Sequence, residues 1–175
     1  MDEFCKEEYF KDENKLYIEE YDTKISVSKK SMFHKLPPTI IFNLKRFEYD
    51  NKTYQRYKLD DFLEFPDEID LKNWLYEKNE NKDQNTNYKL KGILIHSGSA
   101  SAGHYYSYIK LDGVWMEFND TMVRQFDPTE ENKHKEWFGS GKSSPEKAFG
   151  MMGIGSSSTS AYMLFYERET VDQSN

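Results

Sequence analysis

One histidine and one asparagine are the residues of this sequence whose types and spacing could do chemistry. His104 and Asn119 lie on either side of Asp112-Gly113 in the segment ASAGHYYSYIKLDGVWMEFND, residues 100–120. A carboxamide that holds one imidazole nitrogen leaves the other nitrogen able to take a proton, which is the orienting arrangement of Cys-His-Asn triads. We therefore predict that His104 acts as a general base, against the alternative of a structural histidine in a strand.

The Asp112-Gly113 pair predicts the register that would bring these two side chains together. An Asp-Gly pair between two β-rich runs is a strong signal for a two-residue hairpin turn. Counting outward from the turn, His104 shares a face with its diagonal neighbour Asn119, whereas Asp120 pairs with Tyr105 on the opposite face. A bulge between the strands would exchange the roles of Asn119 and Asp120.

The choice of an asparagine gives an indication of the nucleophile. A thiol has a pKa of about 8.5 and can form an ion pair with an imidazolium, so a neutral asparagine suits a cysteine nucleophile. Cys5 is the only cysteine, which excludes an internal disulfide and a multi-cysteine zinc site and favours a reducing compartment. The histidine spacings match no metal-ligand pattern and no phosphate-binding glycine motif is present, so no cofactor or metal is expected.

Several β-rich segments are expected to position the histidine. Apolar runs at 40–47 and 93–95 predict buried strands, and AYMLFYERE, residues 161–169, predicts a final strand after the hairpin. Residues 77–87 are uniformly polar and residues 138–160 are rich in glycine and serine, which indicates a surface loop and a long irregular connection. These patterns predict an α+β fold dominated by an antiparallel β-sheet.

The composition restricts the class of protein. The chain of 175 residues is long enough for one domain with a proper core, and its 24 basic and 31 acidic residues give a net charge of −7. This balance disfavours nonspecific binding to nucleic acid or to a membrane surface. No apolar run approaches the roughly 18 residues that cross a bilayer, and the acidic start MDEFCKEEYF lacks the regions of a signal peptide. We expect an intracellular protein of the cytoplasm or the nucleus.

Four sequence blocks resemble the ubiquitin-specific proteases, which are papain-like cysteine deubiquitinases. They are LPPTIIFNLKRFEYD, FLEFPDEIDL, GHYYSYIK with WMEFND, and SAYMLFYER, and together they cover roughly residues 30 to 168 in one order. The resemblance implies the palm and finger end of that papain-like fold. It also implies that His104 is the general base, that Asn119 is the third triad member, and that Asp120 is a neighbouring acidic position that assists the site.

The resemblance also implies a substrate and the residues around it. The segment HSGSASAG, residues 96–103, is similar to a mobile loop beside the family's cleft, and residues 49–62 are similar to a second such loop. In the family these loops gate the cleft that receives the carboxyl-terminal tail of ubiquitin, so ubiquitin and ubiquitinated proteins are the implied partners. The candidate substrate-binding residues are Ser97, Gly98, Gly103, Tyr105 and Trp115. For Tyr105 and Trp115, plain packing in the core is an equal alternative.

Two departures from the family pattern limit what this chain is expected to do. The family's cysteine box, which carries the nucleophile, is absent, and Cys5 stands in DEFCKEEYF without the glycine, asparagine or glutamine expected before it. Cys5 is therefore not expected to be the nucleophile. Where relatives carry a zinc-binding Cys-x-x-Cys, this chain has Ile18 and Tyr21.

We therefore expect residues 1–168 to be part of a protease domain that lacks the thumb and cysteine box, followed by a frayed tail at 169–175. The chain would be a fragment, the product of a gene model without its first exons, or a natural half-domain. It would be inactive alone and would have the missing amino-terminal half as a partner. The alternatives are a noncatalytic ubiquitin-binding half-domain and an interaction scaffold unrelated to ubiquitin.

Overall fold

The computed structural model of the protein describes residues 1–76, 85–140 and 158–169. The chain forms two units, Met1–Pro37 with Asp70–Asn87 and Pro38–Ile69 with Tyr88–Asn175. Most of the polar loop predicted at 77–87, of the irregular connection predicted at 138–160 and of the predicted frayed tail lies outside the described residues. In the part that is described, no helix is both long and apolar enough to cross a bilayer.

The first unit consists of short antiparallel strand pairs, β1 with β4 and β2 with β3. Its strands are β1 (Glu8–Phe10), β2 (Leu16–Ile18), β3 (Thr23–Ile25) and β4 (Val27–Lys29). Most of their side chains are exposed, whereas Leu36, Leu71 and Cys5 are buried. Three-residue strands cannot bury much apolar area, so the buried residues of this unit lie outside its strands.

The second unit is built on a seven-stranded sheet in the order β12-β11-β10-β9-β13-β5, with β8 also paired to β9. The strands of this unit are β5 (Thr39–Asn43), β6 (Phe47–Asp50), β7 (Gln55–Lys58), β8 (Glu68–Asp70), β9 (Asn87–Gly98), β10 (Gly103–Leu111), β11 (Val114–Asn119), β12 (Met122–Gln125) and β13 (Ser158–Arg168). The strands β6 and β7 form a separate hairpin. The predicted antiparallel sheet is confirmed, and the strands predicted at 93–95 and 161–169 are its two longest.

The strand predicted over residues 40–47 is wrong in extent and in burial. The chain leaves the sheet after Asn43, and β5 is an edge strand in which Ile40 is buried but Ile41 is exposed. The break coincides with Arg46, whose buried guanidinium donates to the carbonyl oxygens of Ala161 and Asp61 at 3.1 and 2.6 Å. Because a buried guanidinium needs acceptors on several sides, it cannot sit in a regular apolar strand.

A helix that the sequence patterns did not predict covers one face of the sheet. Helix α1 (Glu130–Glu136) begins after Thr129, whose hydroxyl accepts from the backbone N–H of Asn132 at 3.3 Å. This N-cap satisfies one of the unpaired donors of the first turn. The helix ends at Glu136, and the next residue, Trp137, is fully buried and packs among the aromatic rings of Phe65, Tyr108, Trp115 and Phe126.

Candidate active site

The β10–β11 hairpin positions the candidate base as its turn residues predict. Asp112 and Gly113 have φ values of 48° and 85°, the pair of positive φ angles that a type I′ turn requires. The register then runs without a bulge from Leu111 opposite Val114 to Ser107 opposite Phe118. Because no residue is inserted, His104 and Asn119 stay on the same side of the sheet.

The two side chains of the predicted pair are in direct contact. Nε2 of His104 lies 2.7 Å from Oδ1 of Asn119, and the side chain of His104 is 47% exposed. On its other side, the amide of Asn119 donates from Nδ2 to Oε1 of Glu117 at 3.3 Å. One ring nitrogen of an accessible histidine is thus held by a carboxamide, which leaves Nδ1 as the nitrogen that can exchange protons with a reacting group.

Asp120 lies on the same side as His104, not opposite Tyr105 as the register predicts. Strand β11 ends at Asn119, and Asp120 occupies the following turn with a φ of 52°. Strand alternation no longer applies at such a position, because a left-handed residue turns the chain back on itself. Its carboxylate Oδ2 lies 3.8 Å from Nε2 of His104 and its side chain is 77% exposed, so this contact is open to solvent.

Tyr106, two residues after His104 on β10 and on the same face of the strand, packs against the imidazole. The rings of His104 and Tyr106 are stacked with centroids 6.2 Å apart, and the Tyr106 hydroxyl donates to Oε2 of Glu136 on α1 at 2.8 Å. Burial, followed by this hydrogen bond, raises the pKa of Tyr106 well above its ordinary value. The hydroxyl therefore stays neutral and keeps donating, which fixes the surface on which His104 rests.

A groove lies on the opposite side of the sheet, between the β6–β7 hairpin and the loop that joins β9 to β10. Its volume is about 510 Å³, and Gly103 and Tyr105 are among the residues that line it. The other lining residues are Phe47, Glu48, Tyr49, Arg56, His96, Ser99, Ala100, Ser101 and Ala102. The two loop segments singled out by the resemblance, residues 49–62 and 96–103, therefore meet at one concave surface.

Ser97 and Gly98 do not line the groove, but they shape its loop. The hydroxyl of Ser97 lies 2.8 Å from that of Thr159 on β13. Gly98 has a φ of 139°, and a Cβ there would lie 2.5 Å from the carbonyl oxygen of Ala102. The tight loop after β9 therefore requires glycine at position 98.

Trp115 lies on the other side of the sheet from the groove, which does not fit the prediction that it lines the same cleft as Tyr105. It is 4% exposed and its ring packs on Trp137 at 5.1 Å. Trp115 pairs with Lys110, an odd number of residues from Tyr105, so the two aromatic side chains point to opposite faces. Of the two alternatives for Trp115, the structure shows core packing.

His96 is a buried histidine that lines the groove. It is 4% exposed and its ring contacts Tyr105 at 4.8 Å and Phe47 at 5.1 Å. Within the described residues, its buried Nδ1 has no hydrogen-bond partner. Burial, with a smaller effect from the charge of Lys58, lowers the pKa of His96. A buried histidine of this kind remains neutral and packs, in contrast to the accessible His104.

The contacts of Glu117 and Glu136 with the site were missed by the sequence-based predictions. The hairpin register places Glu117 two residues from Asn119 on the same face, which could have drawn attention to it. Glu136 is reached through the tertiary placement of α1, and no local pattern contains that information.

Cys5 is buried in the first unit.

The fold and the site define the class of this protein: a sheet-rich α+β protein that presents a hydrogen-bonded histidine–asparagine pair on one side of its sheet and a groove on the other. Residues 4–166 match the family model of ubiquitin carboxyl-terminal hydrolases, and the chain belongs to that family. The suspected resemblance to ubiquitin-specific proteases is thereby confirmed.

Curated relatives are similar over nearly the whole chain. Ubiquitin carboxyl-terminal hydrolase 15 of Saccharomyces cerevisiae is 34% identical over 189 residues, which cover 99% of this chain and 15% of the yeast protein. Ubiquitin carboxyl-terminal hydrolase 9X of Mus musculus is 30% identical over 202 residues, covering 96% of this chain and 8% of the mouse protein. The chain thus spans less than a fifth of the length of these two relatives.

A solved structure shows the same fold. The SAGA Ubp8/Sgf11/Sus1/Sgf73 DUB module bound to ubiquitin aldehyde contains a chain that is 29% identical to this one, with a TM-score of 0.65. The similarity covers 98% of this chain and 33% of that chain. The α+β fold predicted from the sequence is therefore confirmed by the likeness to this solved structure as well as by the sheet itself.

Proposed function

We propose that this chain provides the general-base side of a thiol-dependent deubiquitinase, which hydrolyses the peptide or isopeptide bond after the terminal glycine of ubiquitin. The observation that carries the proposal is the 2.7 Å contact between Nε2 of His104 and Oδ1 of Asn119 in a chain that matches the hydrolase family over residues 4–166. Ubiquitin and ubiquitinated proteins are the proposed partners, in the cytoplasm or the nucleus.

The proposed reaction uses Nδ1 of His104 twice. Nδ1 first takes the proton of a cysteine thiol, and the thiolate attacks the carbonyl carbon of the scissile bond. Nδ1 then gives that proton to the leaving amine as the C–N bond breaks, which leaves a thioester. In the second half, Nδ1 takes a proton from water, the hydroxide attacks the thioester, and the proton returns to the departing thiolate. Asn119 keeps the ring in place through both halves.

We propose that the groove lined by Tyr105 and Gly103 receives the carboxyl-terminal tail of ubiquitin. Gly103 begins β10 and directly precedes His104, so the last residues of the tail would pass around this end of the strand to reach the side of the sheet that carries His104. The groove has aromatic walls from Phe47, Tyr49 and Tyr105, and its lining includes one acidic and one basic side chain, Glu48 and Arg56. Aromatic faces suit an extended peptide that carries arginine side chains, because a guanidinium is attracted to the face of an aromatic ring. A side chain at Gly103, the first residue of β10, would collide with His96, so the wall of the groove is held by close packing.

The nucleophile is proposed to come from a protein segment that contains a cysteine other than Cys5. Cys5 is 5% exposed, so a substrate carbonyl cannot reach its thiol without a rearrangement of the chain around it. Residues 1–168 are proposed to be one part of the catalytic domain, and an amino-terminal half is the proposed partner. The same burial favours a second candidate function, a half-domain that binds ubiquitin without cleaving it.

A ubiquitin that carries a carboxyl-terminal electrophile distinguishes these functions. The longest natural polypeptide that contains residues 1–175 should be labelled at a cysteine, and H104A should lower its rate of ubiquitin release by roughly 10²–10⁴-fold. The 175-residue chain alone should not be labelled, with C5S as the matched control. Labelling of Cys5 that depends on His104 would overturn the proposed source of the nucleophile.

Titration of isotope-labelled ubiquitin with the same chain tests binding without chemistry. Chemical-shift changes confined to the tail of ubiquitin, together with an unreactive natural polypeptide, would support the noncatalytic alternative. Unchanged ubiquitin spectra would contradict both functions and favour a scaffold unrelated to ubiquitin.

A further inference from the structure

We propose that Glu117 is a positioning residue, which with Arg124 fixes the amide orientation of Asn119 and thereby selects the tautomer of His104. The role of this tautomer in catalysis rests on the proposed function, but the tautomer itself does not. Glu117 is 2% exposed and lies on β11 two residues before Asn119, so both side chains project from the same face.

Both carboxylate oxygens of Glu117 are engaged, and each has a different donor. Oε1 accepts from Nδ2 of Asn119 at 3.3 Å, and Oε2 accepts from Nε of Arg124 at 2.7 Å. Arg124 stands directly opposite Glu117 in the β11–β12 register. The guanidinium compensates the cost of burying the carboxylate as an anion, since a buried charge needs a partner.

The chemistry of Glu117 removes the twofold ambiguity of an asparagine amide. The oxygen and nitrogen ends of such an amide are nearly the same in shape, so its direction is set by its hydrogen-bond partners. An ionised carboxylate only accepts hydrogen bonds. The NH₂ group of Asn119 must therefore face Glu117, and its oxygen must face His104.

The direction of this amide determines where the imidazole carries its proton. An oxygen that faces Nε2 of His104 at 2.7 Å can only accept, so Nε2 must be the protonated nitrogen of the neutral ring. Nδ1 is then the basic nitrogen. If the amide turned around, its NH₂ group would face Nε2, the ring proton would move to Nδ1, and the histidine could not take a proton there.

The E117Q variant should therefore reverse the tautomer. Arg124 has no acceptor, so the glutamine oxygen must face the guanidinium and the glutamine NH₂ group must face Asn119. Asn119 then turns its oxygen towards position 117 and its NH₂ group towards His104. We expect neutral His104 to change from protonation at Nε2 in the parent chain to protonation at Nδ1 in E117Q.

Long-range proton–nitrogen NMR correlation of the 175-residue chain measures this change at alkaline pH, where the imidazole is neutral. E136Q is the matched control, because it makes the same isosteric change near His104 at a residue that does not contact Asn119. Glu136 instead accepts a hydrogen bond from Tyr106, so E136Q should keep the Nε2–H form. E117D keeps an acceptor-only carboxylate and should retain the Nε2–H form. A folded E117Q chain that keeps the Nε2–H form of the parent would overturn the proposal.

Two further measurements cover the remaining outcomes. If E117Q does not fold, E117L removes both oxygens while keeping apolar bulk and should show both tautomers, whereas a single Nε2–H form would contradict the proposal. In a polypeptide that hydrolyses ubiquitin conjugates, E117Q should lower kcat by roughly 10²–10⁴-fold with KM unchanged. A parent polypeptide without hydrolysis would contradict the proposed function and leave the tautomer result standing.

Discussion

The two faces of the central sheet place their histidines in opposite environments, one accessible and hydrogen-bonded and the other buried. On one face, called the base face here, His104 is half exposed and hydrogen-bonded to Asn119. On the other, called the groove face, His96 is buried, and its Nδ1 has no partner within the described residues. The two histidines lie on neighbouring strands. His96 on β9 pairs with Tyr105 on β10, and Tyr105 directly follows His104.

The difference shows that the two faces of the sheet hold their histidines by different interactions. The base face keeps its histidine accessible and fixes it through polar contacts from Asn119 and Tyr106. The groove face uses its histidine as a neutral packing surface against Gly103 and Tyr105. A change on the base face should therefore affect proton transfer or the core beneath it, whereas a change on the groove face should affect the loop wall.

The largest effect is expected where the base face meets the core. Trp137 is fully buried among Tyr108, Trp115 and Phe126, so W137A should lower the free energy of unfolding by about 4 kcal/mol through the cavity it leaves. W137F is the matched control and should cost clearly less than W137A, because it keeps an aromatic ring in the cluster and Nε1 of Trp137 has no partner within the described residues. Urea unfolding measures both, and equal losses for the two variants would contradict the packing argument.

A comparable effect is expected on the groove face from one added methyl group. In G103A the Cβ would lie 2.2 Å from Nε2 of His96 and 2.8 Å from the carbonyl oxygen of Ser97, so the strand ends must move apart at a cost of about 3 kcal/mol. G92A is the control, since its Cβ would lie 3.6 Å from Phe165, an ordinary contact. Thermal unfolding measures both variants. If G103A unfolded at the same temperature as G92A, the loop would accommodate the added methyl group without cost, and the prediction would be wrong.

The base face was largely predictable from the sequence because its geometry is local. A two-residue turn and strand alternation were sufficient to place His104 beside Asn119. The same counting puts Trp115 on the face opposite Tyr105, so the expectation that both line one cleft could have been corrected from the register. Asp120 could not be placed, because alternation ends where β11 ends.

The groove face was not predictable in this way, because its partners are distant in the sequence. The β6–β7 hairpin, the loop after β9 and strand β13 are far apart in the sequence and come together only in the folded chain. Arg46 shows the reason: its acceptor on Ala161 lies 115 residues away. Hydrophobic patterns predict which residues are buried in a strand, but they do not identify the acceptor of a buried guanidinium.

Lys58 provides a smaller, pH-dependent effect on the groove face. Its ammonium donates to the carbonyl oxygens of His96 and Ser158 at 2.8 and 2.7 Å, and burial lowers its pKa from 10.5 to about 8. Between these values the unfolded chain binds more protons than the folded chain, so the contribution of Lys58 to stability rises as the pH increases from about 8 to 10.5. Below pH 8 the charged, partly buried group is least favourable.

The K58M variant should therefore remove part of the alkaline rise in stability. The difference in the free energy of unfolding between the parent chain and K58M should increase with pH from 8 to 10.5, as measured by urea unfolding in steps of pH. K58R is the control, because an arginine stays charged throughout this range and should lack the rise as well. Parallel curves for the parent chain and K58M would show that Lys58 titrates normally.

The smallest effect is expected from His96 itself, and it returns to the contrast between the two histidines. Burial lowers the pKa of His96 below its ordinary value of 6.5, so the unfolded chain binds the proton first as the pH falls, and stability is lost below about pH 6.5. H96L cannot bind that proton and should lose less stability than the parent chain between pH 7 and 5. H104A is the control. It retains His96, so the contribution of His96 to the loss of stability between pH 7 and 5 should remain. If H96L instead follows the parent chain over this range, the groove-face histidine is not held neutral by burial, and the proposed contrast between the two faces fails.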